Sequence, residues 1–172
     1  MAKLEDSMTH FITEAEIQEA THRLAKEIEI DYHGRAIHLI CPLKGSFIFA
    51  ADLCRQISLS QSIDFVYLKS IESGQSVEIR KDIETNITGK HVILVEEIID
   101  AGRTVKFLRK RLELARPASL KILTLLDKPA RREIPLRPDY TGITIDDRYV
   151  VGYGMDSEEL GRNYSNIYSF KM

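Results

Sequence analysis

The stretch from Val92 to Thr104, VILVEEIIDAGRT, constrains the fold more than any other part of the sequence. Its opening, HVILV, is an unbroken apolar run, and a strand with one wet face would alternate instead, so the run reads as a strand buried on both faces. DAGRT then turns the chain at once into TVKFLRKRLELA, a helical pattern with Val105, Leu108 and Leu112 on one face. A doubly buried strand that feeds straight into a helix is the repeating unit of a parallel sheet, because parallel neighbours need a crossover. The same alternation recurs along the chain. AIHLIC reads as a short buried strand, PLKGS as a turn into the helical FIFAADLCRQI, IDFVYL as a second strand and LKILTLL as another buried one. Near the start, TEAEIQEATHRLAKEI opens on a capping box, Thr13 with Glu16, and sets Ile17, Ala20, Leu24 and Ile28 on one helical face. The expected fold is α/β, a mostly parallel central sheet flanked by helices.

One segment resists this pattern. KSIESGQSVEIRKDIETNITGK is polar and reads either as a short strand pair or as a mobile loop, and its centre, ESGQS, is too polar to pack into a core. No repeat, low-complexity tract or linker interrupts the rest. With 172 residues, 44% of them hydrophobic and 29% charged, the chain is expected to form a single domain over residues 1–172.

Several function classes are disfavoured by composition. The 24 basic and 26 acidic residues leave a formal charge of −2, which gives no overall pull toward nucleic acid or an anionic membrane. Any phosphate must therefore be held locally. The cluster Arg109 to Arg111 is followed by Glu113 and reads as a solvated helix face, so no nucleic-acid partner is expected. The apolar runs are too short to cross a bilayer and the start, MAKLEDSMTH, lacks the apolar region of a signal peptide, so the expectation is a cytoplasmic protein. Cys41 and Cys54 lack the close spacing of a redox or zinc pair and read as buried free thiols.

In parallel sheets, ligands bind beyond the carboxyl ends of the strands. Glu96, Glu97 and Asp100 lie at or just past such an end, and the backbone N–H groups of DAGRT, at a helix N-terminus, can form an anion site. Gly102 lets the backbone approach closely and Thr104 offers a hydroxyl. A phosphate in the turn, beside carboxylates able to accept from hydroxyls, describes a binder of a phosphorylated sugar. The pattern is equally compatible with Asp100 and Thr104 capping the helix while the glutamates are solvated.

VILVEEIIDAGRT resembles the phosphoribosyl pyrophosphate signature of type I phosphoribosyltransferases, and PLKGSFIFAADL, LLDKPARR and PDYTGITIDDRYVVGYGMDSEELGRN are similar to the hypoxanthine-guanine members, in the family's order from about Ile12 onward. The resemblance implies the type I phosphoribosyltransferase fold with a small hood region, and an enzyme that moves a phosphoribosyl group to N9 of a 6-oxopurine. It implies a pyrophosphate turn at Lys44 and Gly45 with a cis Leu43–Lys44 peptide, and ribose hydroxyls held by Glu96 and Glu97. The 5′-phosphate would be held by Ala101, Gly102, Arg103 and Thr104, with Asp100 as the general base at purine N7. By the same resemblance Lys128 donates to the exocyclic oxygen, Tyr149 stacks on the base, the backbone of Val150 reads its edge and Arg162 contacts pyrophosphate. Magnesium would be held by Asp156 with Glu96 and Glu97. A homodimer or homotetramer is also implied. Taken without the family, LKGS is an ordinary turn with Ser46 near the cap, Lys128 and Arg162 are surface charges, and Tyr149 is a core aromatic.

The sequence departs from the family pattern in three places. Glu97 stands where aspartate is usual, Ala101 where threonine or serine is common, and Ser70-Ile71 where a mobile loop carries a Ser-Tyr pair that closes over the reacting atoms. These departures keep two other readings open: a regulatory protein that binds phosphoribosyl pyrophosphate with weakened transfer, and transfer to xanthine.

Overall fold

The computed structural model describes residues 8–71 and 76–170. In chain order its elements are β1 (Met8–Ile12), α1 (Glu14–Asp31), β2 (Ile37–Leu43), α2 (Phe47–Gln56), β3 (Gln61–Ile71) and β4 (Ser76–Lys81). There follow β5 (His91–Ile99), α3 (Arg103–Glu113), β6 (Ser119–Asp127), a single 3₁₀ turn at Pro129–Arg131, β7 (Tyr140–Thr144), β8 (Val150–Val151) and β9 (Ile167–Phe170). The apolar runs line up in a six-stranded sheet of order β4-β3-β2-β5-β6-β7, parallel throughout except at the β4 edge.

Burial on both faces follows from the pleat. Ile93 and Val95 of β5 join a core with α1 and α2, while Val92 and Leu94 join a second core with Val105, Leu108 and Leu112 of α3. The alternation inverts across the acids: Ile98 packs with the α1/α2 core and Ile99 with the α3 core. Glu96 and Glu97 therefore lie inside the last turns of pleat of β5, which runs to Ile99, and Asp100 is the first residue past it.

The expected first helix forms with its capping box. Glu16 N–H donates to Thr13 Oγ1 at 3.3 Å and Thr13 N–H to Glu16 Oε2 at 2.8 Å, and Ile17, Ala20, Leu24 and Ile28 are buried. Ser46 occupies the N-cap position of α2 but its hydroxyl donates instead to the Pro42 carbonyl at 2.5 Å. Of the two cysteines, Cys41 is buried as expected and Cys54 only half-buried, because the buried face of α2 is made by Phe49, Ala50 and Leu53; both are free.

The polar stretch resolves as a strand pair: β4 runs antiparallel to β3, with Ser70 opposite Val77 and Ile71 opposite Ser76. Asp64 of β3 fixes the return, accepting from the backbone N–H groups of Glu84 and Thr85 at 2.8 and 2.9 Å. Residues 72–75, most of ESGQS, lie outside the described residues, so the expectation of loop closure there is carried no further.

A second, three-stranded sheet of order β1-β9-β8 forms the hood. Its strands come from opposite ends of the sequence, with Met8 opposite Phe170. Among the described residues no helix is long and apolar enough to cross a membrane.

Candidate active site

The carboxyl ends of β2 and β5, with Leu68 of β3 and the segment after β6, open into one cleft of about 550 Å³, and a second of about 210 Å³ adjoins it beneath the hood. Every residue to which the resemblance assigns a role in the site lines one or the other. Lys44, Gly45, Glu96, Ala101, Gly102, Arg103 and Thr104 face the larger, Lys128, Tyr149, Val150, Asp156 and Arg162 the smaller, and Glu97 and Asp100 line both.

The phosphate turn is shaped by Gly102, which takes φ +84° at the N-cap of α3. A Cβ there would come within 3.2 Å of Arg132, Ile134 and Leu136, so both the backbone conformation and the packing beneath it call for glycine. No side chain caps α3, which removes the reading of Asp100 and Thr104 as caps. Asp100 instead accepts from Arg131 Nε at 3.1 Å, and Arg131 lies 3.6 Å from Asp147 of the hood. Below the turn, the guanidinium of Arg132 donates to the Asp100 carbonyl, to the Asp127 carboxylate and, at 3.2 Å, to the Leu136 carbonyl. Arg103 pairs with Glu133.

The paired acids are electrostatically loaded. Glu96 is buried, and its Oε1 finds no hydrogen-bond partner among the described residues. Burial raises its carboxyl well above the ordinary range, and the neighbouring Glu97 charge adds to the rise. Burial likewise raises Glu97, while Arg162 draws it back and Asp156 pushes it further up. Gly45 supports the pair from below. It follows a cis Leu43–Lys44 peptide, as the resemblance implies, and a Cβ on it would overlap the Glu97 carboxylate. Its carbonyl in turn abuts Gly154, which is left-handed at φ +96° and would clash if it carried a side chain.

In the smaller cleft the side-chain environments differ from the family-independent readings. Lys128, just past β6, is 6% exposed rather than solvated, and its backbone N–H donates to the Ile99 carbonyl at 3.0 Å. Tyr149 is 58% exposed rather than core; Phe170 meets its ring edge-on at 5.3 Å, and its hydroxyl donates to the Asp156 carbonyl at 3.2 Å. An exposed aromatic ring that lines the cleft offers apolar surface to a planar ligand. Arg162 is well covered, donating to the Gly154 carbonyl at 2.8 Å and pairing with Asp156 at 2.7 Å.

Sequence reasoning missed Arg131, Arg132 and Glu159. The two arginines stand beside Lys128 in LLDKPARR, and that adjacency was the available signal. For Glu159, which pairs with Lys44 at 2.7 Å, no sequence signal exists, since its partner lies 115 residues away.

A divalent cation suits the acids. Among the described residues no three His, Cys, Asp or Glu side chains converge as a ready-made cage. Magnesium needs none, since it commonly takes one or two carboxylates and completes its shell with substrate oxygens and water. The partnerless Oε1 of Glu96 is a donor of that kind.

The chain is similar in sequence and shape to known proteins. The model of the phosphoribosyl transferase domain matches residues 12–158. The hypoxanthine phosphoribosyltransferase of Escherichia coli K12 is 44% identical over 162 residues, which cover 91% of this chain and 91% of that protein. The hypoxanthine-guanine phosphoribosyltransferase of Streptococcus pneumoniae R6 is 39% identical, covering 91% of this chain and 87% of the relative. Among solved structures, a hypoxanthine-guanine phosphoribosyltransferase from Bacillus anthracis with HEPES in its active site superposes with a TM-score of 0.93 at 44% identity, over 95% of this chain and 98% of the other.

Proposed function

The chain belongs to the phosphoribosyl transferase family, and we propose that it is a purine salvage enzyme that transfers the phosphoribosyl group of phosphoribosyl pyrophosphate to N9 of hypoxanthine or guanine. The observation that carries this reading is Asp100, which stands where the cleft of the phosphate turn meets the cleft of Lys128 and Tyr149. A group that must meet both the sugar phosphate and the base belongs at that junction.

In this reading the amides of Ala101, Gly102, Arg103 and Thr104 hold the 5′-phosphate, aided by the positive end of α3. Glu96 and Glu97 accept from the ribose hydroxyls. Lys44, Gly45 and Arg162 hold the pyrophosphate, with the forked donors of arginine suited to it. Tyr149 stacks on the purine and the Val150 backbone reads its edge. The Lys128 ammonium has donors and no acceptor, so it matches an exocyclic carbonyl and discriminates against the amino group of adenine.

Breaking the bond at the anomeric carbon ahead of attack gives an oxocarbenium-like transition state, as in glycoside hydrolysis. The carboxylates beside the ribose stabilise that positive charge and the clamp on pyrophosphate stabilises the departing negative charge. As N9 attacks, Asp100 takes the proton from N7. Magnesium would be held by one or two carboxylates drawn from Glu96, Glu97 and Asp156, with substrate oxygens and water completing its shell, and when bound would supply positive charge against the pyrophosphate leaving group. Assembly as a homodimer or homotetramer belongs to the same reading, and sedimentation of the purified protein tests it.

The experiment is nucleotide formation with magnesium, phosphoribosyl pyrophosphate and, separately, hypoxanthine, guanine, xanthine, adenine and uracil. Turnover of hypoxanthine or guanine without adenine or uracil is the expected result. Turnover of xanthine alone would move the specificity, and binding of phosphoribosyl pyrophosphate without turnover of any base would replace the enzyme by a regulator.

A further inference from the structure

The tip of the hood carries an unusual turn. Ser157 and Leu160 exchange backbone hydrogen bonds at 3.0 Å in both directions, closing a two-residue loop whose central residues, Glu158 and Glu159, lie at φ +51° and +67°. Left-handed conformation at both central positions is the signature of a type I′ turn, a geometry that normally selects asparagine and glycine. Two glutamates there run against backbone preference, and such outliers concentrate at functional sites. Besides closing the loop, the turn aims Glu159. Its N–H donates to Asp156 Oδ2 at 2.9 Å, and its Oε2 meets Lys44 Nζ at 2.7 Å and Arg162 Nη2 at 3.4 Å.

One carboxylate oxygen thus joins two cations from separate elements, one on the turn after β2 and one in the hood. Those are the cations assigned above to the pyrophosphate, on which assignment this inference rests. We propose that Glu159 is an internal stand-in for pyrophosphate, a carboxylate that closes across Lys44 and Arg162 when the site is empty and must swing out when phosphoribosyl pyrophosphate enters. The pairing is built to yield. The side chains of Lys44 and Glu159 are 50% and 64% exposed, and exposed pairs of this kind are weak and easily exchanged. The energetic consequence falls on affinity: for a ligand that must first displace a competing group, the apparent affinity is reduced to the fraction of time that group is out of the way. Glu159 therefore weakens the hold on pyrophosphate and, by returning as it leaves, favours its release.

The test is calorimetric titration of the full-length protein with magnesium pyrophosphate, comparing Glu159→Gln with Glu158→Gln. Both remove one charge from the same turn, but only Glu159 contacts the cations. Glu159→Gln is expected to tighten pyrophosphate by roughly two- to five-fold, as an exposed ion pair allows, and Glu158→Gln by less than half of that. Unchanged or weaker binding in Glu159→Gln, or equal tightening in both variants, would overturn the proposal, since the latter is only a change of overall field. Lys44→Ala separates this from the assignment beneath it. If Lys44→Ala weakens pyrophosphate binding and Glu159→Gln does not strengthen it, the stand-in alone falls. If Lys44→Ala leaves binding unchanged, the pyrophosphate site itself is misplaced and the inference falls with it.

Discussion

Glu97 stands directly over Gly45: a Cβ added to residue 45 would interpenetrate the Oε1 and Cδ of the glutamate. The extra methylene that distinguishes glutamate from the family's usual aspartate is thus accommodated by a position with no side chain. The longer acid is fitted to this site, and Glu97→Asp is expected to lower kcat/KM several-fold. Gly45→Ala is expected to lower it by about 10²-fold or more, because the added carbon displaces the carboxylate from the ribose by an ångström or so. The double variant should recover part of that loss, since a shorter acid retreats from the new methyl group. Steady-state kinetics on the four proteins of this cycle measure the coupling, and strict additivity would show that the two residues do not share the space.

Asp100→Asn should separate chemistry from binding. The amide keeps the shape of the junction and the turn amides keep the phosphate, so the affinity for phosphoribosyl pyrophosphate should stay nearly as in the wild type. Turnover should fall by about 10²- to 10⁴-fold, the usual scale for losing a general base. Equilibrium binding and kcat read the two separately, and an unchanged kcat would remove Asp100 from proton transfer.

Arg132 is a buried cation that binds the Asp100 carbonyl and the Asp127 carboxylate together, with side-chain exposures of 9% for Arg132 and 11% for Asp127. Truncation by Arg132→Ala leaves a buried carboxylate without its partner and should cost about 3–5 kcal/mol of stability. Urea unfolding measures it. Because the Cδ of the same side chain packs under Gly102, phosphate binding should weaken as well.

Asp64 is expected to govern acid stability. Burial pushes its carboxyl up, but hydrogen bonds from the backbone N–H groups of Thr85, Glu84 and Phe65 outweigh that and hold it below the ordinary aspartate value. With its folded pKa lowered, the carboxylate contributes stability at pH values above its unfolded pKa, and that contribution is lost as pH falls through the folded value. Asp64→Asn should therefore be less stable than the wild type near neutrality and show a smaller drop in stability on acidification. Unfolding midpoints from pH 7 to pH 3 would reveal parallel curves if Asp64 has no such part.

The strands AIHLIC, HVILV and LKILTLL, the capped first helix and the face of Val105, Leu108 and Leu112 were legible in the chain because their signals are local: apolar runs, period and caps. The acids and DAGRT were legible for the same reason, a short contiguous motif at the end of a strand. The hood strands β1 and β9 were not, since neither is long or distinctly periodic and each exists by pairing with a segment at the other end of the sequence. Nor could the sequence alone decide that Lys128 is buried, that Tyr149 is exposed, or that Asp100 faces Arg131 rather than capping α3. The contact of Glu97 with Gly45 and the bridge of Glu159 between Lys44 and Arg162 join residues far apart in the chain. Local propensity and pattern set which elements form and in what order. Burial, charge pairing and close contact depend on which distant segments the packed sheet brings together, and only the tertiary structure determines those.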